Sequence, residues 1–372
     1  MDGMKIQIIK ANKYKEILVM NAPVIDVRAP IEFASGCVPG AINLPILSNE
    51  ERHKIGHTYK HQGREKAIDL GYKIVSGDNK AIKVAHWVNY IQDQKKQNQD
   101  KIYITCFRGG QRSQISQQWI LESGYETYRF ETGYKGFRQW SLEQLKELSG
   151  IIPLKVISGY TGSGKTLLLK EVQDHVPMVD LEGIACHKGS AFGAEEVEQP
   201  CQADFESSLL KKILQQQEFF SSPIVIEDES RVIGSVHLPE EFFLNLRNQK
   251  IILLDTTLEE RVENIYKEYI LVKDLSKANY KIFSDYQRNV NQIAKRLGFK
   301  RAAEIINDIE KSKNEFIQDQ QTLSNKIWIE KLMSWYYDPR YSESLQKRNP
   351  VIEFKGTANE VRAFLQSSAK VR

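Results

Sequence analysis

Residues 155–172 read as an apolar strand, a glycine loop and a helix, and that junction constrains the fold more than any other segment. The loop is Gly159-Tyr-Thr-Gly162-Ser-Gly164-Lys165-Thr166, which satisfies G-x-x-x-x-G-K-[ST] without a mismatch. The strand KVIS precedes it and the helix KTLLLKEV follows, the context this P-loop pattern requires. Its backbone N–H groups can wrap a diphosphate, Lys165 can reach the terminal oxygens, and Thr166 can hold Mg²⁺. Any diphosphate ester suits such a cradle, so the ligand stays open. A strand that delivers its loop to a helix N-terminus implies an α/β domain with a parallel sheet.

The same alternation runs through most of the chain. KIQII, VIDVR, KIYITC and TYRF read as strands before residue 149, and PMVDLEG, PIVIEDES and KIILLDT after it. Gly and Pro punctuate SGIIP, residues 149–153, where a helix ends. The expected division is 1–148, a P-loop α/β domain over 154–270, and a mainly helical region over 271–372 packed on it. At 372 residues two or three domains are expected, and 41% hydrophobic residues can supply their cores.

A second loop carries chemistry. Cys106-Phe-Arg108-Gly109-Gly110-Gln-Arg112-Ser113 follows the strand KIYIT and opens a helix near Ser113. A thiol here faces backbone N–H groups, a helix N-terminus and the guanidinium groups of Arg108 and Arg112. Those favour the thiolate, which can accept sulfur or selenium or attack phosphorus. Gly109 and Gly110 let the backbone fold around an anion. Six positions separate Cys106 from Arg112, a spacing that also describes Cys-dependent phosphatases.

Ile224-Val-Ile-Glu227-Asp228-Glu229 runs an apolar strand into acids at its carboxyl end, where ligands sit in α/β sheets. Asp228 is the first choice for an outer-sphere Mg²⁺ contact and Glu227 the next. The loop from Asp180 to Gly193 adds Asp180, His187, Lys188 and Ser190 as Mg²⁺- or substrate-site candidates. None of Cys37, Cys106, Cys186 and Cys201 forms a Cys-x-x-Cys pair, so no structural zinc and no disulfide is expected. Cys186 could be a second redox partner.

The Cys106 loop resembles a rhodanese active-site loop. Asp26-Val-Arg28 to Phe33, Gly36-Cys-Val-Pro-Gly40 to Pro45, and Gly133-Tyr-Lys-Gly-Phe-Arg138 resemble that family's flanking segments. Cys37 stands where many rhodaneses have His, and reads as a structural residue packing the turn. A rhodanese-like parallel-sheet domain followed by a P-loop domain resembles tRNA 2-selenouridine synthases. Thr58 to Gly71, Asp180 to Gly193 and Glu227 to Gly234 also look like segments of that family, as does the longer Cys-x-Arg-Gly-Gly-x-Arg-Ser loop.

This resemblance implies replacement of the sulfur of wobble 2-thiouridine in tRNA by selenium from selenophosphate. It implies a geranylated thiouridine intermediate made from geranyl diphosphate, with selenium held on Cys106 as an S–Se⁻ adduct. The P-loop would hold either geranyl diphosphate or selenophosphate. No tightly bound cofactor is expected. The competing readings are a kinase or ATPase with a rhodanese module, a Cys-dependent phosphatase, and a general sulfurtransferase.

A net charge of +4 permits an RNA partner without arguing for one, so contact must come from local clusters. Residues 52–64, 295–301 and 335–340 are the basic and aromatic candidates. No run approaches the ~20 apolar residues of a membrane span, and no apolar signal core opens the chain. A cytoplasmic location is expected.

Overall fold

The computed structural model describes residues 5–188 and 197–368. The chain divides into two compact units, residues 1–148 with 200–218, and 149–199 with 219–372.

The first unit is built on five parallel strands, β1 (Gln7–Ile9), β2 (Val24–Asp26), β3 (Ile42–Asn43), β4 (Tyr103–Thr105) and β5 (Tyr128–Phe130), in the order β1-β5-β4-β2-β3. β2 and β4 are buried along their length, which is why they read as unbroken apolar runs rather than alternating ones. The helix Asn49–Gln62 begins with a reciprocal cap: Glu51 N–H donates to Ser48 Oγ at 3.2 Å, and Ser48 N–H to Glu51 Oε2 at 2.7 Å. It turns back at Gly63 into the helix Arg64–Val75. Trp87, on the helix Asp78–Lys96, is buried and donates to Leu44 O at 2.9 Å.

The boundary expectation needs one amendment. The helix Gln202–Phe219 lies inside the 154–270 segment but clusters with the first unit. Cys37 N–H donates to Asp204 Oδ1 at 2.7 Å, Arg138 pairs with Glu206, and Gln215 donates to Leu18 O. No local pattern announces this return, because those partners lie 68 to 197 positions away.

The second unit carries β6 (Leu154–Ser158), β7 (Met178–Val179), β8 (Ile224–Glu227), the small antiparallel pair β9 (Val232–Ile233) and β10 (Val236–His237), β11 (Ile251–Leu254) and β12 (Ile352–Gly356). Its main sheet is parallel, in the order β12-β11-β6-β8-β7. β11 and β12 are neighbours, Ile251 opposite Ile352, so the intervening helices are an insertion between adjacent strands. Those helices begin at Leu258. They share a core around Phe283, Val290, Ile305, Ile309 and Trp328. Two i→i+5 turns, Lys267–Leu271 and Met333–Tyr337, interrupt them, a feature common near functional sites. Arg261 holds Asp338 bidentately at 2.8 Å and 2.8 Å, tying the helices together beside the glycine loop. Among the described residues, no helix is long and apolar enough to cross a membrane.

Candidate functional site

The Cys106 loop leaves the carboxyl end of β4 and enters the helix Gln111–Glu122. Gly109 has φ +67, and a Cβ there would stand 2.0 Å from Glu131 O, so only glycine fits. Arg129 donates to Gly109 O, while Tyr134 N–H and Lys135 N–H donate to Cys106 O and Phe107 O at 2.8 and 2.9 Å. The helix Gly133–Ser149 thereby clamps the loop from behind. Cys106 is 3% exposed, with Sγ 3.1 Å from the Ser113 hydroxyl. That hydroxyl donates to Gly110 O at 3.1 Å, and it can turn to stabilise negative charge on sulfur.

Arg112 reaches Glu32 bidentately, at 2.5 and 3.1 Å, and its charge also acts on Cys106. Glu32 is buried, which raises its pKa, but Arg112 and Arg52 more than offset this and hold it below the usual carboxylate range. Arg108 is exposed, 5.7 Å from the Phe107 ring. Arg112 and Arg129 both interact by charge with Cys106. Arg129 was not legible, since it comes from β5 rather than the loop. The Cys37 thiol is pushed up by burial and by Asp204, which also accepts from Cys201 Sγ at 3.4 Å. That suits packing rather than nucleophilic work.

The glycine loop runs from β6 into the helix Lys165–Val172. Lys165 Nζ donates to Gly159 O at 3.0 Å. Thr166 Oγ1 lies 3.1 Å from Glu182 Oε2 and 3.4 Å from Glu227 Oε2, and Glu182 N–H donates to Glu227 Oε1 at 2.9 Å. Burial, then the charges of Glu229, Glu182 and Asp180, push Glu227 well above the usual carboxylate range. Glu229 is pushed up to about 7 by burial and Glu182, against the pull of Lys165.

The preference for Asp228 is reversed. Side chains alternate across a strand, so Asp228 leaves β8 on the face opposite Glu227. It is held there by Arg348 at 2.8 Å to each oxygen, by Arg247 at 3.2 Å and by the Ser158 hydroxyl at 2.5 Å. Glu227 and the unanticipated Glu182 stand at Thr166 instead. Asp180 caps the helix Leu181–Ala185 by accepting from Gly183 N–H at 2.7 Å. Cys186 closes that helix in the left-handed region.

A cavity of about 370 Å³ opens on the loop. Lys165, Lys170, Lys188 and Lys267 line it together with Glu182, Glu229 and Glu268, and so do Leu167, Ile265, Tyr269 and Val272. Lys188 pairs with Glu268 and lies 5.1 Å over the Tyr269 ring. His187 N–H donates to Glu182 O at 3.1 Å. Ser190 lies outside the described residues. Of the basic segments, 295–301 and 335–340 meet, with Arg301 5.6 Å over the Trp335 ring.

Residues 10–139 match the family model of the rhodanese-like domain, and residues 152–372 match that of the tRNA 2-selenouridine synthase AAA domain. The chain belongs to the tRNA 2-selenouridine synthase family. A tRNA 2-selenouridine synthase of Nitrosomonas europaea is 40% identical, over 94% of this chain and 96% of the relative. One of Bdellovibrio bacteriovorus is 38% identical, over 98% and 100%. In this family member both loops therefore lie inside matched segments, each on the carboxyl edge of its own parallel sheet, where α/β folds place ligands.

Proposed function

We propose that this chain is a tRNA-modifying transferase that replaces the sulfur of wobble 2-thiouridine with selenium from selenophosphate. The reaction passes through S-geranyl-2-thiouridine made from geranyl diphosphate. The observation that carries this is the pairing of a buried thiol loop with a phosphate-binding loop whose cavity is half apolar. Leu167 and Val272 are 59% and 82% exposed at a site built for phosphate. A diphosphate ester with an isoprenoid tail uses both the lysines and those side chains. In this assignment Lys165 and the loop N–H groups take the diphosphate. Mg²⁺ would be held through Thr166 and phosphate oxygens, with Glu227 and Glu182 behind, an all-oxygen set suited to a hard cation.

Alkylation turns the thiocarbonyl sulfur into a thiolate leaving group. Cys106 is the nucleophile at C2: its thiolate displaces geranyl thiol, the selenium of selenophosphate then displaces Cys106, and water takes the phosphate from selenium, which stays at the selenide level throughout. Arg301 on Trp335 offers a cation and a stacking face to RNA. A tRNA substrate suits a cytoplasmic location.

Mass spectrometry of nucleosides from treated 2-thiouridine tRNA tests the assignment. Geranyl diphosphate without the selenium donor should yield S-geranyl-2-thiouridine, and both together 2-selenouridine. Selenation with no geranylated nucleoside under any condition would remove the intermediate. Nucleotide hydrolysis without tRNA would favour the ATPase reading.

A further inference from the structure

The first unit has a second cavity, of about 190 Å³, that the anion chemistry of Cys106 does not use. Its walls are Ile46, Leu47, Ile55, Ala67, Ile68 and Val75, closed on one side by Gln111, Arg112 and Ile115 of the helix that leaves the Cys106 loop. Cys106 itself packs in one apolar cluster with Ile46, Leu47, Val75, Ile55 and Ile115. The cavity wall and the nucleophile therefore belong to one contiguous apolar cluster, and Arg112 and Ile115 of the cavity lie on the helix that leaves the Cys106 loop. Tyr59 and Tyr72 stand at the mouth, 61% and 50% exposed, beside Arg64.

Gly71 lines the cavity from inside the helix Arg64–Val75. A glycine there weakens a helix relative to alanine. No clash demands it, because an added Cβ would meet Ile55 at an ordinary 3.6 Å. What the missing side chain does is leave room.

We infer that this cavity holds the S-alkyl chain of the alkylated thiouridine, so that the apolar leaving group is seated beside Cys106 while Arg64 faces the anionic RNA. This rests on the geranylated intermediate proposed above. An exposed isoprenoid chain carries a hydrophobic cost in water, and seating it here fixes the thiouridine relative to the sulfur of Cys106. Arg64 at the rim supplies charge complementarity to a phosphate backbone. Chain length becomes a specificity determinant of the exchange.

The test compares tRNA carrying S-geranyl-2-thiouridine with tRNA carrying S-methyl-2-thiouridine, with selenophosphate as donor, in the full chain. The wild type should favour the geranyl substrate in kcat/KM. Gly71→Leu should lower that preference about tenfold, the loss of one or two well-packed methylenes, while the methyl substrate is converted at nearly the wild-type rate. Tyr59→Ala, at an exposed position, is the companion should Gly71→Leu fold poorly, and it should shift the ratio the same way. An unchanged ratio in a folded variant overturns the cavity assignment. Equal losses on both substrates would mean that the cavity takes the nucleotide itself, which also overturns it. A wild type that converts neither substrate refutes the geranylated route, a result distinct from the first two.

Discussion

At Cys106 the loop is flanked by guanidinium groups, Arg112 and Arg129, and the reactive atom sits in an apolar bed. At Lys165 lysines and glutamates interleave around an open cavity, and two of the acids are pushed up by burial and mutual repulsion. Both loops rest on the same device, a parallel strand feeding a helix N-terminus. What differs is the fixed charge around it. Permanent cations beside a buried thiol favour an atom that holds an anion through a reaction. Titratable acids among lysines favour an exchangeable ligand whose affinity follows its protonation state.

The contrast breaks first, and most completely, at the thiol. Cys106→Ser should abolish selenium incorporation while circular dichroism and tRNA binding stay at wild-type values, since the alcohol fits the loop but is a far weaker nucleophile. Selenouridine formed at a comparable rate by that variant would show that Cys106 is not the nucleophile of the exchange.

Next in size is the lysine. Lys165→Ala removes a charge-assisted contact to the diphosphate, about 1.5–3 kcal/mol, so geranylation should slow by roughly ten- to a hundredfold. Pre-geranylated tRNA should still be selenated by the same variant. The reverse pattern, intact geranylation with lost selenation, would assign selenophosphate to the P-loop.

The smallest effect concerns Glu229, whose pKa near 7 lies above that of an ordinary glutamate. As pH falls through about 7 this group takes up a proton and the cavity loses a negative charge. Pyrophosphate itself gains a proton over this range, so the readout is the difference from Glu229→Gln: between about pH 8 and pH 6 the wild type should gain affinity for Mg²⁺-free pyrophosphate severalfold relative to that variant. Calorimetric titration of both proteins at the two pH values reads this directly, and the same pH dependence in both would contradict it.

Much of this was legible from the chain because both loops are contiguous. A strand, two or three glycines and a helix start state their geometry within twenty residues. The acids at the P-loop were only half legible. The i, i+2 spacing of Glu227 and Glu229 against Asp228 signals opposite faces, yet the choice of Asp228 overlooked that parity. Its real partners, Arg247 and Arg348, lie 19 and 120 positions away, and nothing local announces a salt bridge across such a span. Glu182 escaped for a similar reason, since Asp180 two residues earlier looks equally acidic but is spent on capping its helix. The pairing of β12 with β11 was equally hidden, with about a hundred residues of helix between them.

The helix Gln202–Phe219 has a consequence for how the protein is made. The polypeptide passes between the two units three times, after residues 148, 199 and 218. During synthesis the first sheet is complete once β5 has emerged, but the helix that buries Phe205, Leu209, Leu210, Ile213 and Leu214 appears roughly 70 residues later. At ordinary elongation rates that is a wait of about 4–14 s. Throughout it the nascent first unit lacks one wall of its packing. A ribosome-associated chaperone would find its best purchase in that interval, and a protein cut at residue 148 would remain in it permanently.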